Sequence, residues 1–316
     1  MKIALVGDIT KDSIIKLDNK EAHLSCKLNS TQCEICFNYA NKIQVDQLSH
    51  SIGGNAANAS IALKRLGEDP ILVSQIGIDV DSKYLLEELK KADIKTKNIV
   101  QSENEQSNNS LIINYKGEKT VFSFHENREY QLPKADADVT YLTSMGKGWL
   151  KVYEKFLQGK IIYQPGTRQI SRGAKYSKNI LAKSKILILN KEEAKKFLGS
   201  KQNDIKELLH ELLDFGVSEV VITEGKNGAY ASDGKEFLKS SIWHQAARIE
   251  STGAGDAFAS TYSYMRMTGK DITTALKAAT INSGKVIQHT GAHKGLLKKN
   301  ELAILQKRIK IKVSRI

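Results

Sequence analysis

The chain has 316 residues, of which 41% are apolar and 26% charged, a composition typical of a folded globular protein. Its 3 prolines and 22 glycines indicate no low-complexity linker, and no apolar run reaches the roughly 18 residues that a membrane span needs. The formal charge of +13 comes from lysines scattered over most segments, apart from the tail QKRIKIKVSRI, which argues against a nucleic-acid-binding surface.

Short runs rich in isoleucine and valine alternate with amphipathic stretches along the chain. The start, MKIALVGD, is typical of a first strand rather than of a signal peptide. Amphipathic helices are predicted at ASIALKRLG (59–67) and DIKELLHELLDFG (204–216), and each ends on a glycine. This alternation predicts an α/β protein with a mostly parallel sheet covered by helices. The predicted strands are 2–7, 70–77, 139–143, 160–164, 185–190 and 219–223.

Two regions interrupt this alternation. Residues 9–52 mix polar and apolar side chains without a clear helical pattern, and residues 107–126 are typical of a hairpin that turns at Lys116-Gly117-Glu118. We predict that both contribute to a small antiparallel sheet. Such a sheet is a candidate lid over a site at the carboxyl ends of the parallel strands.

The segment STGAGDAFAS places Gly253, Ala254 and Gly255 directly before a helix that should begin near Asp256. Unpaired backbone N–H groups at the positive end of a helix bind anions, and small side chains let a phosphate approach closely. Asp256 would face the same point and could accept a proton from an attacking hydroxyl group. Taken alone, the segment is also compatible with an ordinary glycine-rich turn that precedes an acidic first helical turn.

A second glycine motif, SIGGNAANASIALKRLG, brings Gly53, Gly54 and Asn58 to a helix start. Bare backbone beside an amide side chain supplies the mixed donors and acceptors that a polyhydroxylated ligand needs. Taken alone, it also fits a tight turn with an asparagine-rich cap.

Together the two motifs resemble those of the PfkB, or ribokinase-like, carbohydrate kinase family. The first motif matches the family's GG pair, asparagine and helix closing on Leu-Gly, and ESTGAGDAF (250–258) matches its second signature. The resemblance spans essentially the whole chain, 1–316, and implies one domain with a three-layer ribokinase-like fold and a small β-sheet lid. It implies transfer of the γ-phosphoryl group of ATP, with Mg²⁺, to an alcohol group of a sugar, and a homodimer formed through the lid.

The resemblance also implies roles for individual residues. Asp256 would be the general base, and the backbone of Gly253, Ala254 and Gly255 the anion hole. Asp12 would bind substrate hydroxyls with Gly53, Gly54 and Asn58. The residues implied on the nucleotide side are Asn190 and Glu193 (which would organise Mg²⁺, Glu193 through water), Thr223, Gly225, Gly228 and, in the adenine pocket, Asn282.

One position departs from the family pattern. Most members have aspartate where this chain has Glu250, and in many of them that aspartate contributes to a monovalent-cation site. Glutamate is longer by one methylene group, so activation by K⁺ is in doubt here. The role expected of Asp256 does not depend on this cation.

Several alternatives remain open at this stage. His23, Cys26, Cys33 and Cys36 have spacings that could suit zinc, although alternating residues of a strand favour buried thiols, and a cytoplasmic chain would keep them reduced. The acceptor could be a nucleoside instead of a sugar, or the chain could be a non-catalytic sensor. Candidate walls for a nucleoside base are Phe37, Tyr39, Phe122 and Phe124. A polar cluster at His125, Glu126, Asn127 and Arg128 could recognise the substrate, with Arg128 against a phosphate, or could be a solvated loop.

Overall fold

The computed structural model describes residues 1–17, 20–26, 33–116, 118–244, 246 and 248–316. All six strands predicted from apolar runs are confirmed to within one residue at each end. Within the described ranges the chain forms sixteen strands: β1 (Ile3–Val6), β2 (Thr10–Leu17), β3 (His23–Cys26), β4 (Cys33–Cys36), β5 (Val45–Gly53), β6 (Ile71–Gly77), β7 (Ile99–Ser102), β8 (Asn108–Tyr115), β9 (Glu118–Phe124), β10 (Val139–Leu142), β11 (Lys160–Tyr163), β12 (Ser184–Asn190), β13 (Val220–Thr223), β14 (Ala229–Ser232), β15 (Phe237–Ser240) and β16 (Val313–Arg315).

Both predicted helices are present, and the first begins earlier than its apolar pattern indicated. It starts at Asn55, directly after Gly54, whose φ of 88° ends the preceding strand. None of the helices in the described ranges is both long and apolar enough to cross a membrane. The α-helices found there are α1 (Asn55–Arg65), α2 (Val80–Lys91), α3 (Trp149–Glu154), α4 (Thr167–Arg172), α5 (Lys178–Lys183), α6 (Lys191–Leu198), α7 (Ile205–Leu213), α8 (Ala254–Met267), α9 (Ile272–Val286) and α10 (Lys299–Arg308).

Ten strands form one large sheet in the order β16-β15-β14-β13-β12-β11-β10-β1-β6-β7. The strands from β13 to β7 run parallel, and β14, β15 and β16 add an antiparallel edge. Neighbouring residues in a strand point to opposite faces, so Leu5 packs with α1, α8 and α9 while Val6 packs with α3 to α7. The sheet therefore lies between two helical layers, as the resemblance implied.

A separate small sheet, with strand order β5-β2-β8-β9, combines segments from both regions that interrupt the helix–strand alternation. The prediction that this sheet is antiparallel is wrong for its central pair, because β2 and β8 run parallel. Its inner face carries Asp12 beside Ser110, with Ser123 next along the same row. Its outer face carries Leu111 opposite Phe122. The predicted turn at Lys116-Gly117-Glu118 lies partly outside the described residues, at Gly117.

The sequence favoured buried, reduced thiols for all three cysteines, and this prediction is wrong for Cys26 and Cys33. Cys26 and Cys33, opposite each other in the β3–β4 hairpin, form a disulfide. Both are exposed, and only the free Cys36 is half-buried, so they are not buried thiols. The disulfide takes two of the four ligands that the zinc alternative requires, and His23 lies exposed opposite Cys36.

Candidate active site

A cavity of about 910 Å³ lies between the carboxyl ends of the parallel strands and the inner face of the small sheet. Gln164 and Asn190 reach it from the ends of β11 and β12, and Asp256 from the start of α8. The small sheet covers it with Thr10, Asp12, Ser110, Ile112, Val121 and Ser123. This placement follows the general rule that ligands bind outside the carboxyl ends of strands in α/β sheets.

Helix α8 begins at Ala254, two residues before the predicted start. Gly253 precedes it with φ 72°, and a Cβ there would lie 2.5 Å from the Ala292 side chain. Both constraints explain why glycine occupies this position. The Ala254 N–H donates to Ser251 O at 3.3 Å, so one of the three predicted donors already has a partner, whereas Gly253 and Gly255 line the cavity.

Asp256 lines the cavity and accepts hydrogen bonds from three amide side chains. Its Oδ1 accepts from Asn55 Nδ2 at 2.7 Å and from Gln164 Nε2 at 2.9 Å. Its Oδ2 accepts from Asn58 Nδ2 at 2.7 Å. These amides come from two elements distant in sequence, α1 and the end of β11, and they fix the carboxylate toward the cavity.

Each of the three amides is itself oriented by a further partner. Ser144 Oγ donates to Asn55 Oδ1 at 2.8 Å, and Tyr141 Oη donates to Gln164 Oε1 at 2.7 Å. His293 Nε2 lies 2.8 Å from Asn58 Oδ1. Because each amide oxygen is occupied in this way, its NH₂ group must point to the carboxylate.

The environment of Asp256 suits a proton acceptor. Burial raises the pKa of Asp256 above its ordinary value, and the hydrogen bonds from Asn58, Asn55 and Gln164 partly offset this rise. A carboxylate with a raised pKa is a stronger base, and the three amide donors that point at its two oxygens favour the ionised form.

Two of the predicted substrate-side residues lie on the cavity wall. Asp12 projects from β2 and accepts a hydrogen bond from Thr10 Oγ1 at 2.9 Å, and Gly54 lies beside it. Gly53 lies under the Asp12 carboxylate, since a Cβ there would be 2.1 Å from Asp12 Oδ2. The small residue at 53 thus makes room for the acid rather than for a ligand.

The structure corrects the assignment of Asn58. Its side chain is 9% exposed and does not line the cavity, because its amide is bonded to Asp256 and His293. Asn58 therefore positions the candidate base, and Asn55 is the asparagine of this motif that reaches the cavity wall.

Asn190 and Glu193 line the same cavity, at the start of α6. They form a reciprocal cap, in which Glu193 N donates to Asn190 Oδ1 at 2.8 Å and Asn190 N to Glu193 Oε2 at 2.9 Å. Burial raises the pKa of Glu193, and the nearby Asp256 charge acts in the same direction. Helix α4, which packs on α6, adds Arg168 and Arg172 to the wall.

A second cavity, of about 340 Å³, adjoins the first, and Thr223 and Gly255 line both. Its walls include the predicted Gly225 and Gly228 together with Trp243. Gly228 has φ 95°, and a Cβ there would lie 2.0 Å from Ser240 O, so only glycine fits this close approach.

Asn282 is not part of this cavity, and its predicted contact with adenine is wrong. It is fully buried, donates from Nδ2 to Thr261 Oγ1 at 2.8 Å and accepts from Leu297 N at 3.0 Å. Its neighbours on α9, Thr280 and Ser283, line the cavity in its place.

The polar cluster after β9 divides between two roles. His125 lines the first cavity, but Arg128 is 5% exposed and donates to the backbone oxygens of Gln75 and Gln106. The expectation that Arg128 meets a substrate phosphate is therefore corrected, because its guanidinium joins strand β6 to the loop before β8. Glu126 accepts from the N–H groups of Gln106 and Asn127 and does not line the cavity.

The four aromatic residues considered as walls for a nucleoside base also lie elsewhere. Phe122 and Phe124 point outward from the small sheet and are 55% and 45% exposed, and Tyr39 is 98% exposed. Phe37 is 37% exposed and lines neither cavity.

Sequence reasoning missed Asn55, Gln164 and His293. Gln164 follows the apolar run KIIY at a strand's carboxyl end, and Asn55 follows Gly-Gly directly, so both had a usable positional signal. His293, in the loop after α9, had none, because its partner Asn58 is 235 residues away.

Comparison with known proteins identifies the family of the chain. Residues 12–299 match the model of the pfkB family carbohydrate kinases, so the chain belongs to that family.

Curated relatives of the chain include kinases of different acceptors. The chain is 24% identical over 287 residues to an ATP-dependent 6-phosphofructokinase of Thermoanaerobacterium thermosaccharolyticum, covering 82% of this chain and 85% of that one. It is also 24% identical to a ribokinase of Staphylococcus aureus, covering 76% and 83% of the two chains.

Solved structures show the same fold. An Arabidopsis thaliana ribokinase complexed with ribose and ATP superposes with a TM-score of 0.80 at 17% identity, over 97% of this chain and 98% of the other. A Burkholderia thailandensis nucleoside kinase in complex with inosine gives 0.78, also at 17% identity and with the same coverage. The ribokinase-like fold is thereby shown.

Proposed function

We propose that this protein transfers the γ-phosphoryl group of ATP to a hydroxymethyl group of a sugar. The observation that carries the proposal is the Asp256 carboxylate, held by three oriented amides at the start of α8 where the two cavities meet. A nucleotide base in the smaller cavity would place its phosphates past Thr223 and Gly255, toward Asp256.

In this mechanism the acceptor hydroxyl lies against Asp256, which takes its proton as the oxygen attacks the γ-phosphorus, and the bond from that phosphorus to the bridging oxygen breaks so that ADP leaves. The first-turn N–H groups of α8 stabilise the charge on the transferring group. Arg168 and Arg172 place two further positive charges on the wall beside Asn190. Closure of the small sheet over the cavity would exclude water and so limit hydrolysis of ATP.

Magnesium fits the residues at the start of α6. Glu193 offers a carboxylate and Asn190 an amide, while no group of three or more His, Cys, Asp or Glu residues in the described part of the chain forms a metal cage. Such a sparse donor set suits Mg²⁺, which keeps several waters and is held largely by nucleotide phosphates. When bound, Mg²⁺ neutralises phosphate charge during transfer.

The cavity walls favour a sugar over a nucleoside as acceptor. Of the described residues that line the larger cavity, His125 alone has an aromatic ring that could stack on a base, and the small sheet adds only the aliphatic side chains of Ile112 and Val121 to its hydroxyl and carboxylate groups. Asp12, Ser110 and Ser123 supply hydrogen-bonding groups that match sugar hydroxyls.

The test is an ADP-release screen with sugars, sugar phosphates and nucleosides, applied to the wild type and to Asp256→Asn. We expect a sugar or sugar phosphate to be phosphorylated, and the variant to lose at least about 10²-fold in kcat while it still binds ATP in calorimetry. The exposed cap variant Asp271→Asn, outside both cavities, is the control and should keep its activity. Unchanged turnover by Asp256→Asn would refute the assignment.

We further propose a homodimer formed through the small sheet. Its outer face exposes Leu48, Leu111, Phe122 and Phe124, each more than 40% accessible, and Leu111 and Phe122 lie directly opposite each other on neighbouring strands. Sedimentation should give a dimer for the wild type and a monomer for the double variant Phe122→Ser, Phe124→Ser. A monomeric wild type would end this part of the proposal.

A further inference from the structure

Lys119 connects the small sheet to the main body of the protein. It lies on the inner face of β9, on the same side as Val121 and Ser123, and forms an ion pair with Glu250. Their side chains are 12% and 3% exposed, so the pair is largely removed from solvent. Charges removed from water in this way require close partners.

Glu250 is also bonded to the segments that surround the start of α8. Its carboxylate accepts from Thr252 Oγ1 and from the backbone of Gly291. Burial alone would raise the pKa of Glu250, but the hydrogen bonds and charge of Lys119, with Thr252 and Gly291, lower it below its ordinary value. Glu250 is therefore ionised, and its carboxylate joins strand β9 to the segments that contain Thr252 and Gly291.

We propose that the Lys119 ammonium takes the place of a monovalent cation beside Glu250, so that this protein works without K⁺. The inference rests on the proposed kinase function. Lys119 and Thr252 both bond Glu250 Oε1, and a second positive ion beside the ammonium would be repelled. The residues at this position therefore do not fit a bound potassium ion.

A tethered ammonium differs from a free ion in one respect. It belongs to β9, which also covers the cavity with Val121 and Ser123, so the strand that closes over the acceptor also neutralises Glu250. A neighbouring ion pair, Arg248 with Glu118, joins the same two segments but is 57% and 79% exposed. It supplies a matched control, because it links β9 to the body without touching Glu250.

The experiment compares the wild type with Lys119→Ala, Lys119→Met and Glu118→Gln. ATP turnover with the best acceptor is measured in KCl and in tetramethylammonium chloride at equal ionic strength. We expect the wild type and Glu118→Gln to have equal rates in both salts. Lys119→Ala should lose about tenfold in tetramethylammonium and regain most of it in KCl, because the shortened side chain leaves room for the ion. Lys119→Met should lose activity in both salts, since its side chain fills that space.

Thermal unfolding of the same variants gives a second measurement that does not depend on turnover. KCl should raise the Tm of Lys119→Ala relative to tetramethylammonium chloride and leave that of the wild type unchanged. The double variant Lys119→Ala, Glu250→Gln should lose this effect of KCl. If no acceptor is phosphorylated, the kinase proposal fails while the melting experiment still decides the role of Lys119. A wild type that is stabilised or activated by K⁺, or a Lys119→Ala variant indifferent to it, would overturn the inference.

Discussion

His293 makes a sharp test of how the candidate base is positioned. Because Asn58 donates its amide hydrogens to Asp256, the His293 ring must donate from Nε2 to Asn58 Oδ1, at 2.8 Å. Burial lowers the pKa of His293 to about 4, so the ring stays neutral near pH 7. The substitution His293→Gln keeps a hydrogen-bond donor but removes the titrating group.

The loss of stability that His293 causes at low pH follows from the difference in its proton affinity between the folded and unfolded states. The histidine pKa is 6.5 in its ordinary state and about 4 in the folded protein, so the unfolded chain takes up the proton first as the pH falls. Stability is therefore full above pH 6.5 and is lost toward pH 4. With 1.36 kcal/mol for each pH unit, the loss between pH 7.5 and 4.5 is about 2.5 kcal/mol.

Urea unfolding of the wild type and His293→Gln at both pH values measures this loss. All other titrating groups are common to the two proteins, so the difference between their free energies of unfolding isolates His293. We expect the wild type to lose about 2.5 kcal/mol more than the variant between pH 7.5 and 4.5. A difference that is the same at both pH values would refute the buried, neutral histidine and the Asn58 contact with it.

Two further substitutions test other parts of the site. Gly253→Ala, at φ 72° and against Ala292, should lower the free energy of unfolding by about 1–3 kcal/mol, whereas Gly255→Ala, whose Cβ would meet open space, should unfold like the wild type in thermal melts. Equal melting of the two variants would contradict the close approach to Ala292. Asn282→Ala should cost about 1–3 kcal/mol because Leu297 N–H and Thr261 lose their partner, while the KM for ATP stays unchanged. A raised KM without loss of stability would restore the adenine contact that the structure rejects.

Much of the fold could be predicted because its signals are local. The parallel strands are short runs of buried residues such as Ile186–Leu189, and the helix starts carry side-chain caps such as Asn190 with Glu193. The position of Asp256 after small residues was also informative, since a helix start needs small side chains to accept an anion.

The remaining features depend on contacts between distant residues. Asn58 and Asp256 are 198 residues apart, and nothing local distinguishes an amide that holds a carboxylate from one that binds a sugar. Arg128 likewise has a side chain that could bind a phosphate, but its guanidinium donates instead to the backbone oxygens of Gln75 and Gln106. In each case burial and a competing partner decided the role, and neither can be obtained from residue spacing.

Strand β9 serves two surfaces at once because its residues alternate between them. Lys119, Val121 and Ser123 face inward, whereas Phe122 and Phe124 face outward. Inserting or deleting one residue would exchange the two sets, turning phenylalanine toward the cavity and the lysine toward solvent. Point substitutions can therefore change either surface of this strand separately, whereas a change in its length would alter both surfaces together.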